Sequence, residues 1–478
     1  MNTRFRLRRL IIIWAIAAPL QLADASEVEP GCRTWFADHH IELTKTEKRW
    51  LCGDAGSSAW REIPVNQRIY FARNFLQDRG YHDPQFRIER SDLYITLGAQ
   101  TRVQKLEVDD ATNLVRWRRM RGISGEPLTP ELLNGIERRA KRSLSYQGYP
   151  CSRVSSIAHP EKSSISLESE LGPKVQFGSV EVEESSDSID LLERYFAFRP
   201  HWAFDSRLLE ITSQRMLQDD LFLSSYFDWR CEPNYQLRQN LMVAKPRIVT
   251  VGLGVDTEVG VFGLARWKHA NLDSLASVLE TSLSASFREQ ALALELRKYL
   301  SRKSPFYFSG RASARHENEH QYETLTYEMG GYPTTAVEFR FGRTLLSCGP
   351  LLAFTKTLEG EGPQSRRTLY WAGKLDFMSH LYEYFLGDPQ EGWTLNLGLD
   401  SQFKGTLAET TAHRLKLQGQ VLQNFLGWDP PFLIFGWRYN LGTFFVGKDR
   451  LRVNGLPVNQ RFFLGGDADI RGFSRKEL

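Results

Sequence analysis

Beyond its first 25 residues the sequence has no run of some eighteen apolar residues, which excludes helical membrane spans. With 41% hydrophobic residues, any insertion into a bilayer has to be through strands, whose backbone groups pair between segments. Charge of one sign is also scarce. Lys and Arg number 61 against 57 Asp and Glu, a formal +4, so nothing in the balance argues for nucleic acid. Cysteines are few and odd in number for an exported chain: Cys32, Cys52, Cys151, Cys231 and Cys348. No G-x-S-x-G elbow and no phosphate-binding Gly loop occurs, so hydrolase and nucleotidase chemistries lack a nucleophile or a cradle.

What is present begins with a leader. Met1 to Ala25 joins Arg4, Arg6, Arg8 and Arg9 to an apolar core, Leu10 to Leu20, and then to a small-x-small cleavage site at Ala23 and Ala25. Its removal takes four Arg and one Asp with it, so the formal +4 falls to +1 in the mature chain. About 450 residues remain, enough for two or more domains. Export permits a bridge between Cys32 and Cys52, the only pair close in sequence; the alternative is five small core or surface residues.

From about Gly31 to Ala244 one pattern recurs three times: a helix, a small-residue–Tyr step, a strand, a turn and another strand. Ile69, Ala72 and Leu76 share a helical stripe before Gly80-Tyr81, and Asp92 to Gly98 reads as a strand. In the second repeat Thr129 caps, Pro130 takes the first helical position, and Leu133, Ile136, Ala140 and Leu144 form the stripe before Gly148-Tyr149. Strands around Cys151 to Ala158 and Ser164 to Glu170 follow. In the third, Asp205 caps Ser206 to Leu217, Ser225-Tyr226 stands at the step, and Asn240 to Ala244 closes the unit.

From Arg247 the period becomes two. Val249, Val251, Leu253 and Val255 alternate with Thr250, Gly252 and Gly254; Trp393, Leu395, Leu397 and Leu399 oppose Thr394, Asn396, Gly398 and Asp400. Aromatics gather at strand ends (Phe306, Trp371, Trp393, Phe403, Phe425, Trp428, Phe444, Phe445), as in a lipid-facing barrel with interfacial girdles and a wet lumen. Eleven strands are expected, near 247–256, 261–271, 274–288, 290–300, 306–316, 336–346, 350–358, 368–380, 392–404, 412–424 and 432–445. Tyr322 to Met329 is taken as an extension of the long loop after the fifth. A soluble sandwich, the competing class, also alternates but turns its polar face to bulk water.

His316-Glu317-Asn318-Glu319-His320 matches the zinc-protease pattern H-E-x-x-H, which would make His316 and His320 metal ligands and Glu317 the base. That chemistry needs a helix. Here the motif follows the alternating segment Phe306 to Arg315, so a polar surface loop is expected, with neither metal nor other cofactor.

The last stretch, Arg461 to Phe473, reads RFFLGGDADIRGF. Gly465, Gly466 and Gly472 suit a folded-back loop, and Arg471 offers a five-donor fork. With Ile470, Arg471, Gly472 and Phe473 at its tip, the segment resembles the sixth extracellular loop of the outer-membrane assembly superfamily of bacterial surface antigens. That superfamily includes the pore of the barrel-assembly (BAM) complex, TamA-like proteins and two-partner secretion pores. The spacing of the three repeats is in turn similar to polypeptide-transport-associated (POTRA) domains.

The resemblance implies an α+β array of βααββ modules followed by an antiparallel transmembrane β-barrel, incomplete at its C-terminus. Its parts are a signal peptide over 1–25, POTRA-like modules over 31–100, 101–173 and 174–245, and a partial barrel over 246–478 with the long loop from 450. It implies a non-enzymatic protein of the Gram-negative outer membrane, modules in the periplasm, that assembles or translocates β-rich clients. A barrel opening sideways would expose the edge of the first strand, carried by Val249, Val251, Leu253 and Val255, as a template. Partners would be unfolded outer-membrane or secreted clients, outer-membrane lipid and an inner-membrane-anchored protein, with no nucleic acid. Arg471 would need an acidic partner, for which Glu338 and Asp400 are inward-facing stand-ins. The chain ends at Leu478, before further strands, and is expected to be a fragment. Two alternatives are a dedicated exporter of one passenger and, from other classes, a zinc protease or an inert truncated product. The modules themselves would be either client-binding or passive spacers.

Overall fold

The computed structural model describes residues 32–37, 41–54, 56–58, 61–108, 114–182, 189–231, 235–360, 363–408, 411–446 and 461–462. Ala23 and Ala25 of the leader lie outside these, as do Gly465, Gly466, Ile470, Arg471, Gly472 and Phe473 of the terminal loop. The chain divides into two compact units. One holds residues up to Lys105 with 125–133 and 158–164; the other holds 106–124, 134–157 and everything from Ile165.

The first unit is built on β1 (Thr34–Phe36), α1 (Lys45–Cys52), α2 (Val65–Gln77), β2 (Gln85–Glu89) and β3 (Asp92–Thr96), with sheet order β1-β3-β2. Thr44 and Glu47 close a capping box that satisfies two otherwise orphaned amides at the start of α1. Leu51, Ala72, Phe75, Leu76, Leu93, Ile95 and Leu97 make its core. Cys32 pairs with Cys52, as export permits.

The second small sheet has order β4-β6-β5, from β4 (Lys105–Val108), β5 (Arg153–His159) and β6 (Ser164–Glu170), with α3 (Pro130–Ser145) before β5. The Thr129 hydroxyl accepts from the Leu132 amide, and Ile136, Ala140 and Leu144 of the expected stripe are fully buried.

The third combines β7 (Val180–Val182), α4 (Ile189–Leu192), α5 (Ser206–Gln218), β8 (Phe222–Arg230) and β9 (Gln236–Val243) in the order β7-β9-β8. Asp205 caps α5 through the Arg207 amide. Phe177, Phe198 and Phe204 fill the core, the first two stacked at 4.2 Å. A second disulfide, Cys151–Cys231, ties the segment before β5 to the end of β8.

The large sheet is antiparallel throughout and has eleven strands in sequence order. They are β10 (Arg247–Asp256), β11 (Gly260–His269), β12 (Val278–Ser286), β13 (Glu289–Tyr299), β14 (Tyr307–Glu319), β15 (Tyr322–Phe339), β16 (Gly342–Glu359), β17 (Ser365–Ser379), β18 (Gly392–Gln402), β19 (Ala412–Asn424) and β20 (Ile434–Val446). A short helix, α6 (His380–Tyr384), follows β17. Apolar side chains of one face stay exposed to the surroundings, as a wall meeting lipid requires: Val251 is 72% and Leu253 86% accessible.

The structure corrects five expectations. Tyr322–Met329 is no loop but the first half of β15, an 18-residue strand, and residues 336–346 are not one strand, since Arg340 and Phe341 form a turn inside them. The strand runs through Gly330, Gly331 and Pro333. Pro333, which lacks an N–H, falls where the β15–β16 ladder is interrupted between Gly330↔Leu351 and Thr334↔Ser347. A Cβ on Gly349 would stand 2.5 Å from the Gly331 carbonyl, so glycine is needed there for backbone approach.

Residues 274–277, expected to open the third strand, are loop, and β12 starts at Val278. Ser225-Tyr226 lies inside β8, not at a turn; the third repeat turns at Asp219-Asp220, with Asp220 at φ 59°. Trp371 lies within β17 rather than at its end, 51% exposed.

Candidate functional site

Strands β11, β13, β15, β17 and β19 end on one rim of the sheet, and the third module docks there. Only residues 244–246 separate β9 from β10. The Ala270 amide donates to the Pro246 carbonyl and the Ala244 amide to that of Leu221, so the base of β10 is fixed. Ala270 and Ala276 of the rim loop complete an apolar cluster with Leu192, Tyr195, Met216, Leu221 and Phe222 of the module.

At the centre of this junction Arg215 of α5, its side chain 3% exposed, sits between two carboxylates. Nη1 and Nη2 meet Glu338 at 2.9 and 3.0 Å, and Nε and Nη2 meet Glu383 of α6 at 2.6 and 2.7 Å. The His380 ring bonds Glu338 at 2.7 Å. Such a fork-on-fork pair fixes direction as well as distance. Once buried, its members cannot be removed singly without stranding charge.

Two further ion pairs flank it. Asp219 accepts from Arg297 at 2.9 Å and from the Tyr195 hydroxyl at 2.8 Å, and Lys268 reaches Asp220 at 2.7 Å. Burial alone would raise the Asp219 carboxyl, but Arg297, the Tyr195 hydroxyl and Lys268 together hold it below the usual carboxylate range. Burial pushes the Tyr195 phenol well up, and so does neighbouring Asp219. In the rim loop, burial works upward on Asp273, yet Lys298 and the Ser277 and Leu275 amides bring it down to about 2. Arg194 donates to the Leu275 carbonyl at 3.0 Å and lies 3.8 Å from the centre of the Tyr299 ring. Tyr146, just past α3, bonds Tyr384 hydroxyl to hydroxyl at 2.9 Å.

A second contact involves the turn between β19 and β20. The Arg121 amide donates to the Asp429 carbonyl at 2.8 Å, and the Asp429 amide to the Arg119 carbonyl at 2.9 Å. The Arg121 guanidinium stands 4.7 Å above the Phe432 ring.

The candidates from sequence are distributed differently. Val249, Val251, Leu253 and Val255 lie together on β10, an end strand of the sheet order. Arg471 lies outside the described residues, and both of its stand-in partners are engaged by other cations. Glu338 is held by Arg215 and His380, and Asp400 takes Arg414 Nε at 2.9 Å. The H-E-x-x-H residues are not a surface loop: His316 and Glu317 end β14 and His320 opens the turn after it. Four residues of extended chain put the two histidines about 13 Å apart, too far for one ion. His316 is instead bonded to Gln290 at 2.6 Å and Glu323 at 2.8 Å.

The sequence had singled out Glu338 but neither Arg215 nor Glu383, because an isolated Arg in a helix and a Glu in a five-residue turn helix carry no pattern. The one available signal was Arg215 breaking the apolar stripe of α5.

Three small α/β sheets ahead of a long antiparallel sheet of exposed apolar alternation define a protein with POTRA-like modules and a partial β-barrel. Residues 383–478 match the Omp85 superfamily domain, so the C-terminal part of the chain carries that domain. The match opens on Glu383, the partner of Arg215.

Among solved structures, BamA from Haemophilus ducreyi lacking POTRA domains 1–3 aligns at 14% identity over 78% of this chain and 75% of its own, with a TM-score of 0.43. CdiB from Acinetobacter baumannii aligns at 14% over 87% of this chain and 81% of its own, TM-score 0.38. The POTRA3–5 segment of Haemophilus influenzae BamA aligns at 12% over 44% of this chain and 96% of its own, TM-score 0.28. No curated protein matches the chain.

Proposed function

We propose that this protein assembles or translocates β-rich clients at a Gram-negative outer membrane, with its modules in the periplasm and the edge of β10 as template. The observation that supports this reading best is the treatment of β10. Its base is fixed through Pro246 to the docked module, while among the described residues its far side has no strand partner. A strand fixed at its base and standing at the end of the sheet order is suited to the addition of an incoming strand. The carboxylate pairs of the junction keep that edge in one place, and the superfamily match agrees with assembly or secretion in general terms. A two-partner-type exporter of one passenger remains the narrower version of the same chemistry.

The test is site-specific cross-linking. A cysteine at Val251 or Leu253 should trap a stalled client strand carrying its own cysteine, whereas one at Leu294 in the middle of the sheet should not. Equal trapping at Leu294, or none at β10 in protein that floats with vesicles, would refute the template role.

A further inference from the structure

We propose that the rim cavity beneath the start of α5 binds the headgroup of a zwitterionic phospholipid, its phosphate on Arg340 and its ammonium on Glu391. The cavity has a volume of about 450 Å³; its walls include Arg207, Arg340, Phe341, Glu391 and Trp393. The inference rests on the reading that the large sheet lies in a bilayer, and goes beyond it by naming a ligand and its two contacts.

Charge comes first. Arg207 is already held by Asp205, with Nε to Oδ1 at 3.0 Å and Nη2 to Oδ2 at 2.7 Å. His380 is taken by Glu338. Among the described residues Arg340 and Glu391, both exposed, have no ion-pair partner, so one cation and one anion are left to the cavity. A purely anionic group would meet Glu391 and a purely cationic one Arg340, both repelled at short range. A group carrying phosphate and primary ammonium a few bonds apart satisfies both through charge-assisted hydrogen bonds.

Depth comes second. Arg340 and Phe341 form the β15–β16 turn, and Glu391 directly precedes β18, so both charges stand at the rim facing the modules. Beside them runs a continuous aromatic stack. Phe339 meets Phe341 at 5.8 Å, Phe341 meets Phe377 at 5.8 Å and Phe377 meets Trp393 at 4.1 Å. Phe341 is 62% and Trp393 39% exposed, the arrangement expected where a wall leaves hydrocarbon for headgroups. Acyl chains attached to a headgroup in this cavity would continue along Phe341, Trp393 and Val421.

Space is fixed by the backbone. Gly392, with φ 117°, has the Tyr382 backbone where a Cβ would be, so α6 closes one side without a side chain intruding.

The probe is native mass spectrometry of the full chain in detergent, titrated with phosphatidylethanolamine or phosphatidylglycerol. One phosphatidylethanolamine should be retained at least tenfold more tightly than phosphatidylglycerol. Arg340→Gln should weaken both at least tenfold, and Glu391→Gln should erase the preference while leaving phosphatidylglycerol bound. Circular dichroism checks that both exposed-site variants fold.

Unchanged retention in Arg340→Gln, displacement by inorganic phosphate at equal concentration, or occupancy by a co-purified peptide would overturn the site. Flotation with vesicles separates the two levels. A chain that floats yet retains no lipid defeats the headgroup site alone, and one that does not float defeats the membrane reading with it.

Discussion

Arg215 of α5 and Glu383 of α6 meet through two near-parallel contacts, Nε to Oε1 at 2.6 Å and Nη2 to Oε2 at 2.7 Å, across 168 residues of sequence. Because Glu338 takes the other side of the same guanidinium, Arg215→Met strips Glu383 of its two-point partner and leaves Glu338 with His380 and a long contact to Arg343. The expected loss is about 3–5 kcal/mol of docking, against less for the Arg215→Met, Glu338→Gln, Glu383→Gln triple variant. Protease cleavage at residues 244–246 reports it. Equal resistance of wild type and Arg215→Met would remove the junction's central role.

Docking should also fail in acid, with a sign that can be worked out. The folded Asp219 carboxyl titrates below its ordinary 3.8, so it contributes stability above that value, which is lost as pH falls through the folded one. Cleavage at 244–246 by an acid protease should therefore rise as pH drops below 3.8. Asp219→Asn should flatten that dependence; an unchanged profile in the variant would assign the effect elsewhere.

Loss of the Cys151–Cys231 bridge acts on the unfolded chain. It closes a loop of 80 residues, for which chain entropy gives about 4–5 kcal/mol. Cys151→Ser with Cys231→Ser should lower the urea midpoint of the third module, while Cys348→Ser, an exposed free thiol, should not.

The two faces of the sheet should answer charge differently. Leu397, in register with Leu417 on the apolar face of β18, should cost about 2–4 kcal/mol as Leu397→Arg in vesicle folding titrations. Asn396→Lys, one residue away on the opposite face, should cost little. Equal penalties would argue for a sandwich after all.

His316→Ala should leave the zinc content of purified protein unchanged, since the histidine is bonded to Gln290 and Glu323 on a strand. A stoichiometric loss of zinc in that variant would revive the protease alternative.

Much of this architecture could be read from residue order because it depends on local period. The α3 stripe of Ile136, Ala140 and Leu144 encodes which side of the helix is buried, and the alternation at Trp393 to Leu399 encodes which face of the strand turns outward, without reference to anything distant. What could not be read depends on register and on long-range pairing. Pro333 and Gly330-Gly331 look like breakers until their neighbours in β14 and β16 are known. The bond from Arg215 to Glu383 has no periodic trace, and Cys151–Cys231 joins two repeats that each read as self-contained.

Three residues link β9 to β10, and their ends are tied down at Ala244 and Pro246. A tether that short spans at most about 10 Å and leaves no slack. The last module therefore works as a crank rather than a dangling arm. Any torque on its sheet is delivered straight into the first strand of the wall, so a force applied to that module and the angle of the strand are one mechanical variable.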